Sequence, residues 1–514
     1  MTETPERPLG LQRFTSGIPG LDRILGGGLF IGGNYLVMGP PGAGKTILGN
    51  QLCFHHIATG GRAIYLSLLA ETSSRLLAAL EPFTFFTPDP VGDALTYFSG
   101  YGVLEQEGLE GLLKLIRTET RNRRATLLVL DGTAVLEGVS SQQDWMRFLH
   151  GLYVSAEITR CTTVLLMQTP QNTDLSREQT IVEGLIELVM PAYGMRAARE
   201  LHVRKFRGSA FLEGRHPYAI TEAGIVVHPR TEELLAAAPV TLSGMTEPAE
   251  QVSKKSLGIP LLDAMMRGGL PAGSITLLLG ASGTGKTLLG SHFLLAGSAQ
   301  GEPGLSFGFS ETPSQLERKL ARFGLDLTRA RAEGHLEVLW QSPLQPILDV
   351  SAERLLEAAR RGSVRRLFLD GLGGLQRAVA SAERLDLFLT ALLSELQALE
   401  VTTICSVELP ALFSPTLELP MAISGIADLA DNLLFLRYVE LESQLYRLIS
   451  ILKMRESDYD PAIREFRITD QGIDVAPTFA SAQAILTGVA LPSSREEQSK
   501  PFPAEAADVQ GGQP

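Results

Sequence analysis

Two stretches of this chain place glycines, a lysine and a hydroxyl at a spacing that holds phosphate. Gly39-Pro40-Pro41-Gly42-Ala43-Gly44-Lys45-Thr46 and Gly280-Ala281-Ser282-Gly283-Thr284-Gly285-Lys286-Thr287 both fit G-x-x-x-x-G-K-[ST]. Gly39, Gly42, Ala43 and Gly44, and likewise Gly280, Gly283, Thr284 and Gly285, would let the backbone curl into a nest of N–H donors. The N-terminus of a following helix adds its positive end. Lys45 and Lys286 are expected to reach the outer phosphates of ATP. The hydroxyls of Thr46 and Thr287 are expected to ligate Mg²⁺, a hard ion that prefers oxygen. One such turn arises by chance; two in matching contexts do not.

Other paired residues extend this chemistry. Asp131 and Asp370 each close an apolar run downstream of a phosphate loop, where a carboxylate would hold Mg²⁺, through water, opposite Thr46 and Thr287. A lone strand-end aspartate is a common turn former, but here it recurs at matching positions. Hydrolysis also needs a carboxylate to orient or deprotonate water. Glu71 and Glu311, 26 and 25 positions beyond their lysines, are the candidates, against the plainer reading of solvated acids at strand ends. Lys205-Phe206-Arg207 and Lys453-Met454-Arg455 place two cations on one side of a strand by alternation. Facing a phosphate, such a pair stabilises transferred charge; otherwise it is a solvated basic face.

The elements that must position these groups read as a duplicated α/β unit. Gly17-Ile18-Pro19 recurs as Gly258-Ile259-Pro260, and both this pair and the two loop lysines are offset by 241 positions, as a gene duplication leaves them. Tyr35–Met38 and Thr276–Leu279 read as buried strands before the loops, with helices after them. Thr126–Leu130, Thr162–Met167, Arg366–Leu369 and Thr402–Val407 are near-continuous apolar runs, suited to a parallel sheet covered on both faces. Leu109, Leu112, Leu113 and Ile116, then Trp145, Phe148, Leu149 and Leu152, have helical spacing, as does the stripe from Leu385 to Leu399. The alternation argues a doubly wound α/β fold. The expected division is a first domain over 1–240, a linker over 241–252, a second domain over 253–490 and a disordered polar tail over 491–514.

The 514 residues carry a net charge of −12, which argues against coating duplex DNA by electrostatics alone. Cys53, Cys161 and Cys405 lack C-x-x-C spacing and read as structural thiols in a reducing compartment, with no zinc site. No signal peptide or membrane span is read, so a soluble, cytoplasmic protein is expected.

On these stretches, together with Tyr438-Val439-Glu440, Lys205-Phe206-Arg207-Gly208-Ser209, Pro461-Ala462-Ile463-Arg464-Glu465-Phe466 and Ile468-Thr469-Asp470-Gln471-Gly472, the chain resembles the KaiC family of RecA-like ATPases over roughly residues 10–490. The resemblance implies two tandem RecA-like P-loop domains and a double-ring homohexamer with ATP clefts between subunits. Each phosphate loop would face Lys205 and Arg207, or Lys453 and Arg455, of a neighbour. It also implies clock-type or signalling partners rather than nucleic acid or membrane. Several positions depart from the family. The first of its two adjacent glutamates is replaced by Ala70 and by Ser310, so hydrolysis is expected to be slow or to fall to Glu71 and Glu311. The phosphoacceptor positions are Ala427 and Asp428, with Ser424 nearby as the alternative acceptor, and Glu456 stands where the family has glycine. The readings that compete are a nucleotide-driven signalling ATPase, an autokinase using Ser424, a DNA-dependent RecA-like ATPase, and a scaffold with silent sites.

Overall fold

The computed structural model describes residues 12–69, 72–133, 141–169, 181–193, 196–236, 253–342, 347–378, 382–409, 424–441 and 444–476. Glu71, Ala70, the linker and the tail lie outside the described residues.

The first half builds one nine-stranded sheet. Its strands are β1 (Asn34–Gly39), β2 (Ala63–Ser67), β3 (Leu95–Ser99), β4 (Leu127–Asp131), β5 (Thr162–Gln168), β6 (Gly184–Val189), β7 (Glu200–Phe206), β8 (Arg215–Thr221) and β9 (Gly224–Val227). Their order is β3-β2-β4-β5-β1-β6-β7-β8-β9. The six strands from β3 to β6 run parallel, and β7, β8 and β9 extend the sheet antiparallel. The second half holds β10 (Ile275–Gly280), β11 (Gly304–Gly308), β12 (Leu336–Trp340), β13 (Arg366–Asp370), β14 (Thr402–Glu408), β15 (Asn432–Leu441), β16 (Gln444–Met454), β17 (Arg464–Thr469) and β18 (Gly472–Val475). Their order, β12-β11-β13-β14-β10-β15-β16-β17-β18, is that of the first sheet strand for strand. These are tandem RecA-like α/β domains: the alternating pattern led to the α/β class, and the family resemblance implied the RecA-like form.

Apolar runs on both sides of each strand explain the burial. Tyr35 and Val37 of β1 face one core with Leu48 and Leu52 of α1 (Lys45–Ala58). Leu36 and Met38 face the other, with Leu112 and Ile116 of α2 (Tyr101–Arg123) and Phe148, Leu149 and Leu152 of α3 (Gln142–Thr159). Successive side chains of a strand point to opposite faces, so covering both faces requires the continuous apolar run. Gly108 interrupts α2 with φ 66°, and the Ser141 side chain caps α3 by accepting from the Asp144 amide. In the second half Leu278 of β10 packs with Leu288, Leu289 and Phe293 of α4 (Lys286–Ser298). The recurring Gly-Ile-Pro turn has a structural role. Asp22 accepts from the Ser16 amide, and Asp263 accepts from the Leu257 amide and the Ser256 hydroxyl, pinning the chain before each short helix. All three cysteines are buried.

Packing divides the chain into two compact units. One comprises Met1–Glu247, Leu344–Glu357 and Ala378–Glu395; the other comprises Pro248–Pro343, Ala358–Arg377 and Leu396–Pro514. Among the described residues no helix is long and apolar enough to cross a membrane.

Candidate functional site

Each phosphate loop leaves the C-terminal end of the central parallel strand, β1 or β10, and runs into the first turn of α1 or α4. Gly42 and Gly44 take φ 78° and 94°, and Gly283 and Gly285 take 77° and 106°, values that L side chains avoid. Left-handed residues alternating with right-handed ones turn successive N–H groups toward one point, which makes an anion nest. A side chain at Gly44 would also meet Ile220 Cδ1 at 2.9 Å. The loops are braced from different strands: Tyr218 of β8 donates to the Ala43 carbonyl at 2.6 Å, and Tyr438 of β15 donates to the Gly283 carbonyl at 2.6 Å. Lys45 Nζ donates to the carbonyls of Gly39 and Pro40 at 2.7 and 3.0 Å, and Lys286 Nζ to those of Gly280 and Ala281 at 2.7 Å each. Burial lowers the pKa of both ammonium groups. Asp131 opposes this at Lys45, and Glu408 and Asp370 oppose it at Lys286.

One strand separates β1 from β4, and the Thr46 hydroxyl bridges that gap to donate to Asp131 Oδ2 at 2.9 Å. Thr287 makes the same 2.9 Å bond to Asp370 Oδ2. The four residues expected to hold Mg²⁺ are thus brought together in two equal pairs. A hydroxyl and a carboxylate are hard oxygen donors and suit an ion that keeps several waters and takes its other ligands from phosphates. Burial pushes the Asp370 carboxyl above the ordinary range against the pull of hydrogen bonds from Ser406 and Thr287, and the neighbouring Glu311 pushes it the same way. In the first half a cleft of about 360 Å³ opens over the loop, lined by Lys45, Thr46, Asp131, Gln168, Leu69 and Ile220 among others.

Glu311 lies just beyond β11, near enough to Asp370 for its charge to push that carboxyl up. Lys319 binds its Oε1 at 2.6 Å, while Oε2 is buried without a hydrogen-bond partner. Ser310 beside it is exposed.

The paired cations occupy the other end of each sheet. Lys205 pairs with Leu185 of β6, which pairs with Leu36, three residues before the end of β1. Its ammonium then points further back, donating to the Val182 carbonyl at 2.6 Å. Lys453 pairs with Leu433 and so stands level with Leu277, and its ammonium donates to the carbonyls of Ala427 and Ala430 at 3.1 and 2.7 Å. Arg455 donates to the Asp428 carbonyl. These carbonyls belong to the end of the short helix Ser424–Leu429, where the helix dipole attracts cations. Three residues of strand span about 10 Å, so each pair is held well away from the loop of its own half. In both halves an extra residue, Arg204 or Leu452, bulges from the strand immediately before the lysine. Glu183 and Asp431 anchor this end by accepting from the Asn34 and Ile275 amides that open the central strands. Sequence reasoning missed the bulges, the anchoring acids, the bracing tyrosines and Lys319. Arg207 is exposed, as are Asp428 and Glu456, and the latter acts electrostatically on Lys254.

A family model described as "ATPase: KaiC" matches residues 14–232 and 256–479. Among curated proteins, the chain is 27% identical over 511 residues to "Circadian clock oscillator protein KaiC 1" of Synechocystis sp., covering 96% of this chain and 94% of that protein. It is 26% identical over 500 residues to "Circadian clock oscillator protein KaiC" of Synechococcus elongatus, covering 94% and 92%. It is also 26% identical over 509 residues to "Circadian clock protein KaiC3" of Synechocystis sp., covering 95% and 96%.

Proposed function

The chain belongs to the KaiC ATPase family, and from that premise we propose that it is a Mg²⁺-dependent ATPase of the signalling type, assembled as a homohexameric ring with ATP shared between neighbouring subunits. Each half, 1–240 and 253–490, is one ATPase module in this reading. The observation that carries it is the separation within each half: the phosphate loop sits at one end of the central strand and the cation pair at the other. Lys205 and Arg207, or Lys453 and Arg455, therefore act on the nucleotide of a neighbour.

Within a site the loop amides and Lys45 or Lys286 hold the phosphates. Thr46 with Asp131, and Thr287 with Asp370, hold Mg²⁺, which when bound draws negative charge from the phosphate oxygens. Glu311 orients the attacking water in the second half, and Glu71 is proposed for the same task in the first. With Ala70 and Ser310 in place of a second acid, turnover is slow. Ala427 offers no hydroxyl and Asp428 is a carboxylate, so clock-style autophosphorylation at those two positions is absent. γ-Labelled ATP is expected to leave no label there, and label at Ser424 would restore the autokinase reading.

The decisive experiment is complementation. Lys45→Ala with Lys286→Ala in one chain, and Lys205→Ala with Arg207→Ala, Lys453→Ala and Arg455→Ala in another, should each be inactive alone. Mixed and reassembled with ATP, they should recover part of wild-type turnover, because some clefts pair an intact loop with intact cations. No recovery, with assembly intact by light scattering, would overturn the shared-site reading.

A further inference from the structure

The two metal pairs look alike, but what stands behind them differs. Tyr65, buried in the middle of β2, donates its phenol hydrogen to Asp131 Oδ2 at 2.6 Å, the same oxygen that accepts from Thr46. Tyr65 pairs with Val129, so Asp131 is its diagonal neighbour two residues along β4 on the same face. Tyr97 of β3 stands directly opposite Tyr65, with ring centroids 5.4 Å apart. Its hydroxyl donates to Asn50 Oδ1 at 2.8 Å, and Asn50 Nδ2 donates to the Thr46 carbonyl at 2.8 Å. Both partners of the first pair are therefore tied to adjacent tyrosines.

Among the described residues the second half has none of this. Ser306 pairs with Val338 where the first half pairs Tyr65 with Tyr97. Ser291, in the place of Asn50, donates to the carbonyl of Thr287 one turn back. Asp370 takes its second hydrogen bond from Ser406 on Oδ1, opposite the oxygen bonded by Thr287. At Asp131 both bonds fall on Oδ2. A carboxylate oxygen has two lone-pair sites, so two donors fill Oδ2 and leave Oδ1 as the oxygen facing a ligand.

We propose that Tyr65 is a positioning residue for the divalent cation at the first site. It fixes the Asp131 carboxylate so that Oδ1 is presented to the ion, and the two halves load magnesium at different concentrations. The proposal rests on the metal reading of Thr46 and Asp131. Donating to the carboxylate also withdraws some of its charge, which works against affinity. Fixed orientation outweighs this where outer-shell partners have been removed from metal sites, with losses of about 10–100-fold.

The test uses the full chain and reads binding rather than turnover. A fluorescent ATP analogue is titrated with Mg²⁺ in a Lys286→Ala background, which leaves only the first site to load, and in a Lys45→Ala background for the second. The first site should load at the lower Mg²⁺ concentration, and Tyr65→Phe, which keeps the ring, should raise its midpoint about tenfold while leaving the second unchanged. An unchanged midpoint in folded Tyr65→Phe overturns the proposal and leaves the tyrosine a packing residue. Asp131→Asn separates the two layers. If it too leaves the midpoint unmoved, the metal reading itself falls; if it shifts the midpoint and Tyr65→Phe does not, only the tyrosine's role falls. Should Tyr65→Phe unfold, the two single-site backgrounds decide: a first site that loads at the same Mg²⁺ concentration as the second, or a higher one, overturns the proposal.

Discussion

At the scale of single residues, the site stores cost where it holds charge. Asp370 has a raised pKa in the folded chain, so the fold favours its protonated form. Stability from this group is present below the ordinary carboxylate range and is lost as pH rises through the raised value, so at neutral pH the buried charge opposes folding. Asp370→Asn should move the urea transition of the second half without nucleotide to higher urea at pH 7, while abolishing turnover there. The glycines separate strain from crowding. Gly42 has open space where a side chain would go, whereas Gly44 faces Ile220 and Ile225. Gly42→Ala should cost about 1–2 kcal/mol of backbone strain, and thermal melting should show Gly44→Ala costing more. Most of this scale was legible in the sequence, because the loop motif fixes the residue types whose backbone and donors the phosphates need. Tyr65 was not legible. In sequence it is one more buried strand residue, and only the β2–β4 register brings its hydroxyl to Asp131.

At the scale of elements, the central strands were readable because both their faces are apolar. The edge strands β3 and β12 were missed, since Leu95–Ser99 and Leu336–Trp340 each bury only their first residue fully and show no continuous apolar run. The bulges were invisible for a different reason: an extra residue shows only against a partner strand. Their effect is large, because a one-residue shift turns every following side chain to the opposite face. Deleting Arg204 should carry Lys205 away from the Val182 carbonyl and lower first-half turnover as far as Lys205→Ala does, by at least about tenfold. Turnover measured in a Lys286→Ala background isolates the effect. Retained activity would show that the bulge does not aim the cation.

At the scale of the whole molecule, the first compact unit carries an acid sensitivity of its own. Burial lowers the pKa of His56 to about 4, with His55 adding to the effect. Burial likewise lowers His216 to about 4, with Arg230 and Arg384 pushing the same way and Asp349 and the Leu212 carbonyl opposing them. Both lie within Met1–Glu247. A depressed folded pKa contributes stability that is complete above the unfolded value of 6.5 and is lost as pH falls toward 4. By pH 5 each histidine should cost the unit about 2 kcal/mol, seen as an earlier urea transition that His56→Gln partly relieves. The duplication was plain in the sequence from its constant offset, but the identity of the two strand orders required the structure. The spatial separation of loop and cations has a consequence for symmetry. Two copies joined about a two-fold axis meet through one patch used twice, so each closes the other and nothing is left to extend the assembly. The proposed ring needs a head-to-tail, heterologous contact instead, in which the loops of one copy meet the cations of the next. Such a contact has unsatisfied ends until it closes on itself, and a rotation that fails to close yields a filament instead.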